Sequence, residues 1–173
     1  LQPFRELAMT SPFSTTCYEL SSCRLIPLKP SDIQQISEQL SHMHPWQTLG
    51  YSATTLSHYL QREDACLYKY AVMTEHLAGI LCVRYPWLRG AYIELVAIFP
   101  QQQGLGIGHT LIQWLANQLI SEAKNANLWA LVSAINPQAR QFYQREGFIE
   151  IGELQDLVTK GYNEILLRKP LLL

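Results

Sequence analysis

The sequence predicts an α+β fold organised around one mixed β-sheet. Two helical stripes lead, a block of three β-rich runs joined by short turns follows, and a glycine-rich segment then opens a further alternation of helices and strands. The chain has 173 residues, of which 48% are hydrophobic and 16% charged, enough for one core that needs neither disulfides nor metal. A net charge of −1 and the lack of a basic stripe argue against a nucleic-acid partner. No apolar run approaches the roughly 18 residues of a membrane span, and Leu1–Ala8, with Arg5 and Glu6, has no apolar leader region. The expectation is a cytoplasmic protein without a membrane partner.

Residues 1–16 are aperiodic and carry Pro, Ser and Thr, so they read as a tail, with one domain over 17–173. An extended segment is expected from Cys17 to Leu28, closed by Pro27 and Pro30. Ser31 reads as the N-cap of an amphipathic helix whose inner face is Ile33, Ile36, Leu40 and Met43. A second short helix runs from about Ser52 to Gln61, with Leu56, Tyr59 and Leu60 inward. The period then changes to two: Ala65–Met73, Leu77–Tyr85 and Ala91–Phe99 form an antiparallel meander. After the glycines, Leu111, Ile112, Leu115, Leu119 and Ile120 make a helical stripe. Leu128–Ile135 is a strand, Pro137–Glu146 a short helix, and Gly147–Ile151 and Tyr162–Leu167 are two further strands.

The cysteines at 17, 23, 66 and 82 match no redox pair or zinc cluster. Cys66 and Cys82 sit in apolar stretches and read as small buried hydrophobes. His42 and His44 lie in a helical context that does not suit a metal ligand pair, so no metal site is expected.

The segment Gln103-Gly104-Leu105-Gly106-Ile107-Gly108-His109 ends a strand and opens a helix. Alternate glycines permit a tight turn and leave backbone N–H groups uncovered, and the helix dipole adds to them: together, a pyrophosphate site that needs no Lys or Arg. A Walker loop would need GK[ST], whereas His109-Thr110 follows here; a dinucleotide loop would need GxGxxG within a βαβ unit. A plain glycine-capped turn is the other reading.

With Asn136-Pro137-Gln138-Ala139-Arg140-Gln141-Phe142-Tyr143-Gln144-Arg145-Glu146-Gly147-Phe148 about 30 residues later, and Asn163–Lys169 as a closing strand, the chain resembles the GNAT superfamily of N-acetyltransferases. The resemblance covers about Leu77–Pro170 and implies the acyl-CoA N-acyltransferase fold: a mostly antiparallel sheet that splays into a V between two parallel strands, with flanking helices. It implies acetyl-CoA as acyl donor, with its pyrophosphate on the backbone of Gln103, Gly104, Leu105, Gly106, Ile107, Gly108 and His109. Pantetheine would run along Val96, Ala97 and Ile98, whose strand edge offers donors and acceptors for its two amides. Asn136 would bind it from the other side, or would simply be a turn residue before Pro137.

Transfer from a thioester to an amine needs a proton removed from the amine, and benefits from one given to the departing sulfur. Tyr143 matches the family tyrosine that faces the CoA sulfur; packing of the short helix is its alternative role. Glu94 is a lone carboxylate within the apolar strand Ala91–Phe99, where an unpaired charge is costly. Strand alternation puts Tyr92, Glu94, Val96 and Ile98 on one face. Glu94 matches a strand glutamate of the family's polyamine acetyltransferases, which implies the base; the alternative is a carboxylate satisfied by a structural arginine such as Arg84 or Arg89. The family's ribosomal N-terminal acetylases place their glutamate on the next strand, where Leu131 stands. Trp46, Tyr51 and Tyr85 are candidate walls for an acceptor amine, by packing or cation–π contact; pinning the helices to the sheet is the alternative for Trp46 and Tyr51.

The function expected is transfer of acetyl from acetyl-CoA to a primary amine of a small molecule, by direct attack in a ternary complex. A protein N-terminal or lysine acetyltransferase and a non-catalytic acyl-CoA-binding module are the alternatives. The partner is then a small amine, and the chain a monomer or homodimer.

Overall fold

The computed structural model describes residues 11–122 and 125–172. Its elements follow the expected order. Two short strands, β1 (Tyr18–Glu19) and β2 (Arg24–Pro27), precede helices α1 (Pro30–Ser41) and α2 (Ala53–Gln61). Strands β3 (Leu67–Met73), β4 (Leu77–Trp87) and β5 (Gly90–Ile98) form the meander. Helix α3 (Ile107–Glu122), β6 (Asn125–Ser133), α4 (Pro137–Arg145), β7 (Ile149–Leu154) and β8 (Glu164–Leu172) complete the chain.

Among the described residues, eight strands join one sheet in the order β1-β2-β3-β4-β5-β6-β8-β7, and only β5 and β6 are parallel neighbours. Ile33, Ile36, Leu40, Leu56 and Leu60 of α1 and α2 pack with Ile80, Cys82, Leu95 and Ala97 of the sheet. Leu111, Ile112, Leu115 and Leu119 of α3 pack with Val83, Ile93, Leu128 and Ala130, in a core that also holds Tyr143 of α4. The apolar helix stripes therefore clothe the sheet in two separate clusters.

Several boundaries differ from expectation for identifiable reasons. The segment 17–28 is a hairpin rather than one strand, turned by the Leu20 N–H bond to the Cys23 carbonyl. Lys29 and not Ser31 occupies the N-cap position of α1, without a side-chain bond, because Pro30 supplies the pre-set φ and missing N–H that suit a first helical position. Ser52 caps α2 as expected, its Oγ accepting from the Thr55 N–H at 3.1 Å. Cys66 is exposed, in the turn before β3 where its N–H donates to Asp64 Oδ1, whereas Cys82 is fully buried. Residues 11–16 are no loose tail. Phe13 is buried against Tyr68, Tyr85 and Trp114, and Tyr70 Oη donates to the Ser14 carbonyl at 2.6 Å. Residues 1–10 of that tail lie outside the described residues.

Candidate active site

The parallel pair β5–β6 is paired only from Gly90–Ile93 to Asn127–Ala130. Gly90 permits the close start of this pair, since a Cβ there would collide with the Asn127 carbonyl. Beyond Ile93 and Ala130 the strands diverge. The opening is a cleft of about 210 Å³ whose walls include Glu94, Val96, Leu131, Ser133, Asn136 and Glu164.

A β-bulge sets the lining of the β5 wall. Cys82 pairs with Leu95 but Val83 pairs with Ile93, so Glu94 is the extra residue. Regular alternation would put Ile93 and Leu95 on one face. Instead, Ile93 packs toward α3 and Leu95 toward α1 and α2. This corrects the single face expected for Tyr92, Glu94, Val96 and Ile98: Val96 and Ile98 pack with the α3 cluster, and Ala97 with the α1–α2 cluster.

At the end of β5 a 3-10 turn, Pro100–Gln102, leads into the glycine segment. Gln103 Nε2 donates to the Ile98 carbonyl at 2.8 Å and holds the turn against the strand. Gly104 and Gly106 each have φ of +77° and open space beside them. The N–H groups of Gly104, Leu105, Gly106, Ile107, Gly108 and His109 find no acceptor among the described residues, while the Gly106 carbonyl accepts from the Thr110 N–H. This is a concave set of free donors at the start of a long helix. His109 Nδ1 contacts Glu146 at 3.0 Å and ties α3 to the end of α4.

Asn136 caps α4, its Oδ1 accepting from the Ala139 N–H at 3.1 Å, so its amide NH₂ is the part left to face the cleft. Tyr143 lies about two helical turns further into α4, with Phe142 and Phe148 packed edge-on against its ring. Burial pushes its phenol well above the ordinary tyrosine range, so it stays protonated. Tyr92 opposite is pushed up to about 12, first by burial and then by the charges of Glu94 and Glu164.

Glu94 is held by Arg84, whose Nη2 lies 3.2 and 3.1 Å from its two carboxylate oxygens. The same Arg84 nitrogen reaches Asp64 at 3.0 Å. Glu164, at the head of β8, was not a sequence candidate. It is 4% exposed, lines the cleft and stands opposite Ser133 in the β6–β8 ladder. A lone carboxylate before the apolar run Ile165-Leu166-Leu167 was its signal in the sequence.

The loop between α1 and α2 roofs the cleft with Pro45, Trp46, Leu49 and Tyr51. Trp46 and Tyr51 also pack against the α1–α2 core, so they serve as walls and pins together. His44 fastens this roof: one ring nitrogen contacts Thr48 at 2.8 Å and the other the Ile135 carbonyl at 3.0 Å. Tyr85 departs from its expected place. It sits in the α3-side core against Phe13, and the cleft is lined without it. A second register shift between Arg84 and Trp87 accompanies that placement.

The sequence matches the family model of the acetyltransferase (GNAT) family over residues 32–148. The chain belongs to this family. No curated protein matched the sequence. Among solved structures, an acetyltransferase from Thermus thermophilus shares 22% identity at a TM-score of 0.67, covering 89% of this chain and 100% of that one. Spermidine N-acetyltransferase from Vibrio cholerae, in complex with CoA and spermine, has 18% identity, a TM-score of 0.66 and coverage of 87% and 96%. The ribosomal-protein-S18-alanine N-acetyltransferase from Escherichia coli has 20% identity, a TM-score of 0.64, and coverage of 86% and 94%. These likenesses establish the fold; the family match makes this GNAT chain an acetyltransferase.

Proposed function

We propose that this GNAT protein transfers an acetyl group from acetyl-CoA to the primary amine of a small molecule. The observation that carries the reading is the roofed splay of β5 and β6, with free loop amides at one end and ionisable side chains in its walls. The family uses acetyl-CoA, and the residues fit it. The amides of Gly104–His109 suit a pyrophosphate, with the Gln103 side chain bracing the loop. The β5 edge at Val96, Ala97 and Ile98, which β6 leaves uncovered, suits the pantetheine amides although the Ile98 carbonyl already accepts from Gln103, and the Asn136 NH₂ reaches from the opposite wall.

Acetyl-CoA supplies an activated acyl group on a sulfur leaving group. Tyr143, a buried phenol kept protonated, donates a hydrogen bond and a proton where that sulfur departs. The acceptor's proton goes to a carboxylate in the cleft wall, where Glu94 and Glu164 both stand. Trp46, Leu49 and Tyr51 over the cleft favour a small acceptor, since a folded chain would have to displace this roof. Spermine in the Vibrio cholerae structure is in keeping with a small amine as acceptor here.

The test is acetyl-CoA-dependent CoA release with primary alkylamines, polyamines, amino acids and short peptides, the products weighed by mass spectrometry. Monoacetylated small amines are expected. Acetylation confined to peptides would move the reading to a protein substrate, and CoA binding without any transfer would leave a non-catalytic module.

A further inference from the structure

We infer that Glu164, rather than Glu94, receives the proton of the acceptor amine. The inference rests on the acetyltransferase reading above and assigns a role within that same cleft.

Four buried side-chain polar atoms lack a hydrogen bond among the described residues, and two of them are Glu164 Oε1 and Ser133 Oγ. These two residues are Cα partners across β6 and β8, each 4% exposed, and both line the cleft. A buried carboxyl without an ion-pair partner is costly in a resting protein, and the neighbouring Ser133 hydroxyl offsets that cost only in small part. An ammonium group entering the cleft would give Glu164 the charged donor that Ser133 cannot supply, and the Ser133 oxygen a donor of its own. Glu94 is in the opposite condition. Both its oxygens already face Arg84, and that contact would have to loosen before it took a proton.

The other titratable groups toward Glu164 are Tyr92 and Glu94 of β5, Tyr143 of α4 and Tyr51 of the roof. None of them is cationic, so an amine is the cation this wall lacks. Burial raises the Glu164 carboxyl above the usual range, against a smaller opposing effect of Ser133, and so moves it toward the pH at which a base works best.

In the proposed step, Glu164 Oε1 takes one proton from the arriving ammonium and later passes it to water. The freed nitrogen lone pair forms the bond to the acetyl carbon as the carbon–sulfur bond breaks, and the electron pair leaves on sulfur. Tyr143 gives sulfur a proton and regains one, through water, from the second proton the nitrogen loses.

The experiment compares wild type, Glu164→Gln and Glu94→Gln in kcat/KM against pH with the best primary alkylamine of the CoA-release panel, alongside CoA affinity and melting curves. Glu164→Gln should keep CoA affinity and a melting temperature no lower than wild type at neutral pH. Its kcat/KM near pH 7 should fall by about 10²–10⁴-fold, recovering as pH rises toward the amine's own pKa. Glu94→Gln should keep the wild-type pH profile even if it melts earlier, and this holds whether or not Glu164→Gln folds. A wild-type profile in Glu164→Gln, or loss of the profile's acid limb in Glu94→Gln, overturns the inference alone. Failure of the wild type to acetylate any amine overturns the acetyltransferase reading, and the inference with it.

Discussion

Arg84 and Glu94 face each other across the β4–β5 hairpin at 3.1 Å, and Glu94, the bulged residue, is the member of the pair that lines the cleft. The guanidinium is shared, because Asp64 takes the same nitrogen at 3.0 Å. Arg84 thus bridges two carboxylates with a single positive charge, at the point where the sheet begins to open.

This arrangement has a pH signature. Hydrogen bonding to Arg84, and then to the Cys66 N–H, holds the Asp64 carboxyl below its ordinary value. A depressed acid stabilises the fold above its unfolded pKa, about 3.9, and that contribution is lost as pH falls through the folded value. Wild type should therefore lose melting temperature on acidification below about pH 4, and Arg84→Ala should lose less over the same window. Parallel acid-melting curves for the two would exclude this role.

The glycine segment separates two kinds of damage. Gly106 has φ of +77° and empty space around it, so Gly106→Val should strain the turn by about 1–2 kcal/mol and crowd the free amides. CoA affinity is expected to fall at least about tenfold in a protein that still folds, in line with loss of one charge-assisted hydrogen bond. A Cβ at Gly108 would instead lie 3.1 Å from the Phe142 ring, so Gly108→Val should lower the melting temperature. Calorimetric titration with CoA, beside melting curves, distinguishes them.

Much of this organisation is legible in the sequence. The change from helical to alternating period marks the meander, and the glycine segment marks the turn into α3. The Asn136–Phe148 segment marks α4, while the capping role of Asn136, read there as a pantetheine contact or a turn residue, comes from the structure. The bulge at Glu94 is not legible, because a one-residue slip of register depends on how β4 meets β5 and leaves no trace in the alternation of either strand. Tyr85 was expected in the cleft from its region of the chain, and lies in the α3-side core. Phe13 was hidden by the polar residues around it. Glu164 carried the same signal as Glu94, a carboxylate beside an apolar run, but only the sheet order sets it on β8 opposite Ser133.

Tyr143→Phe removes one hydroxyl and keeps the ring between Phe142 and Phe148. CoA affinity and melting temperature should stay near wild type while turnover falls by about 10²–10⁴-fold. Because burial raises this phenol, wild type should show no alkaline loss from Tyr143 up to about pH 10. Turnover at the wild-type rate in the mutant would make Tyr143 a packing residue.

His44 joins the roof to the Ile135 carbonyl beside Asn136. His44→Ala should raise the KM of the acceptor several-fold, on the order of one lost hydrogen bond, and leave the KM of acetyl-CoA unchanged. A change confined to acetyl-CoA would mean that the roof serves the donor side.

The most direct measurement is an initial-rate study with acetyl-CoA and the best amine of the panel varied together. Both must occupy the β5–β6 cleft at once, so reciprocal plots should intersect and no acetylated protein should accumulate without amine. Parallel lines, with an acetyl group trapped on the protein in mass spectra, would contradict direct transfer in the cleft.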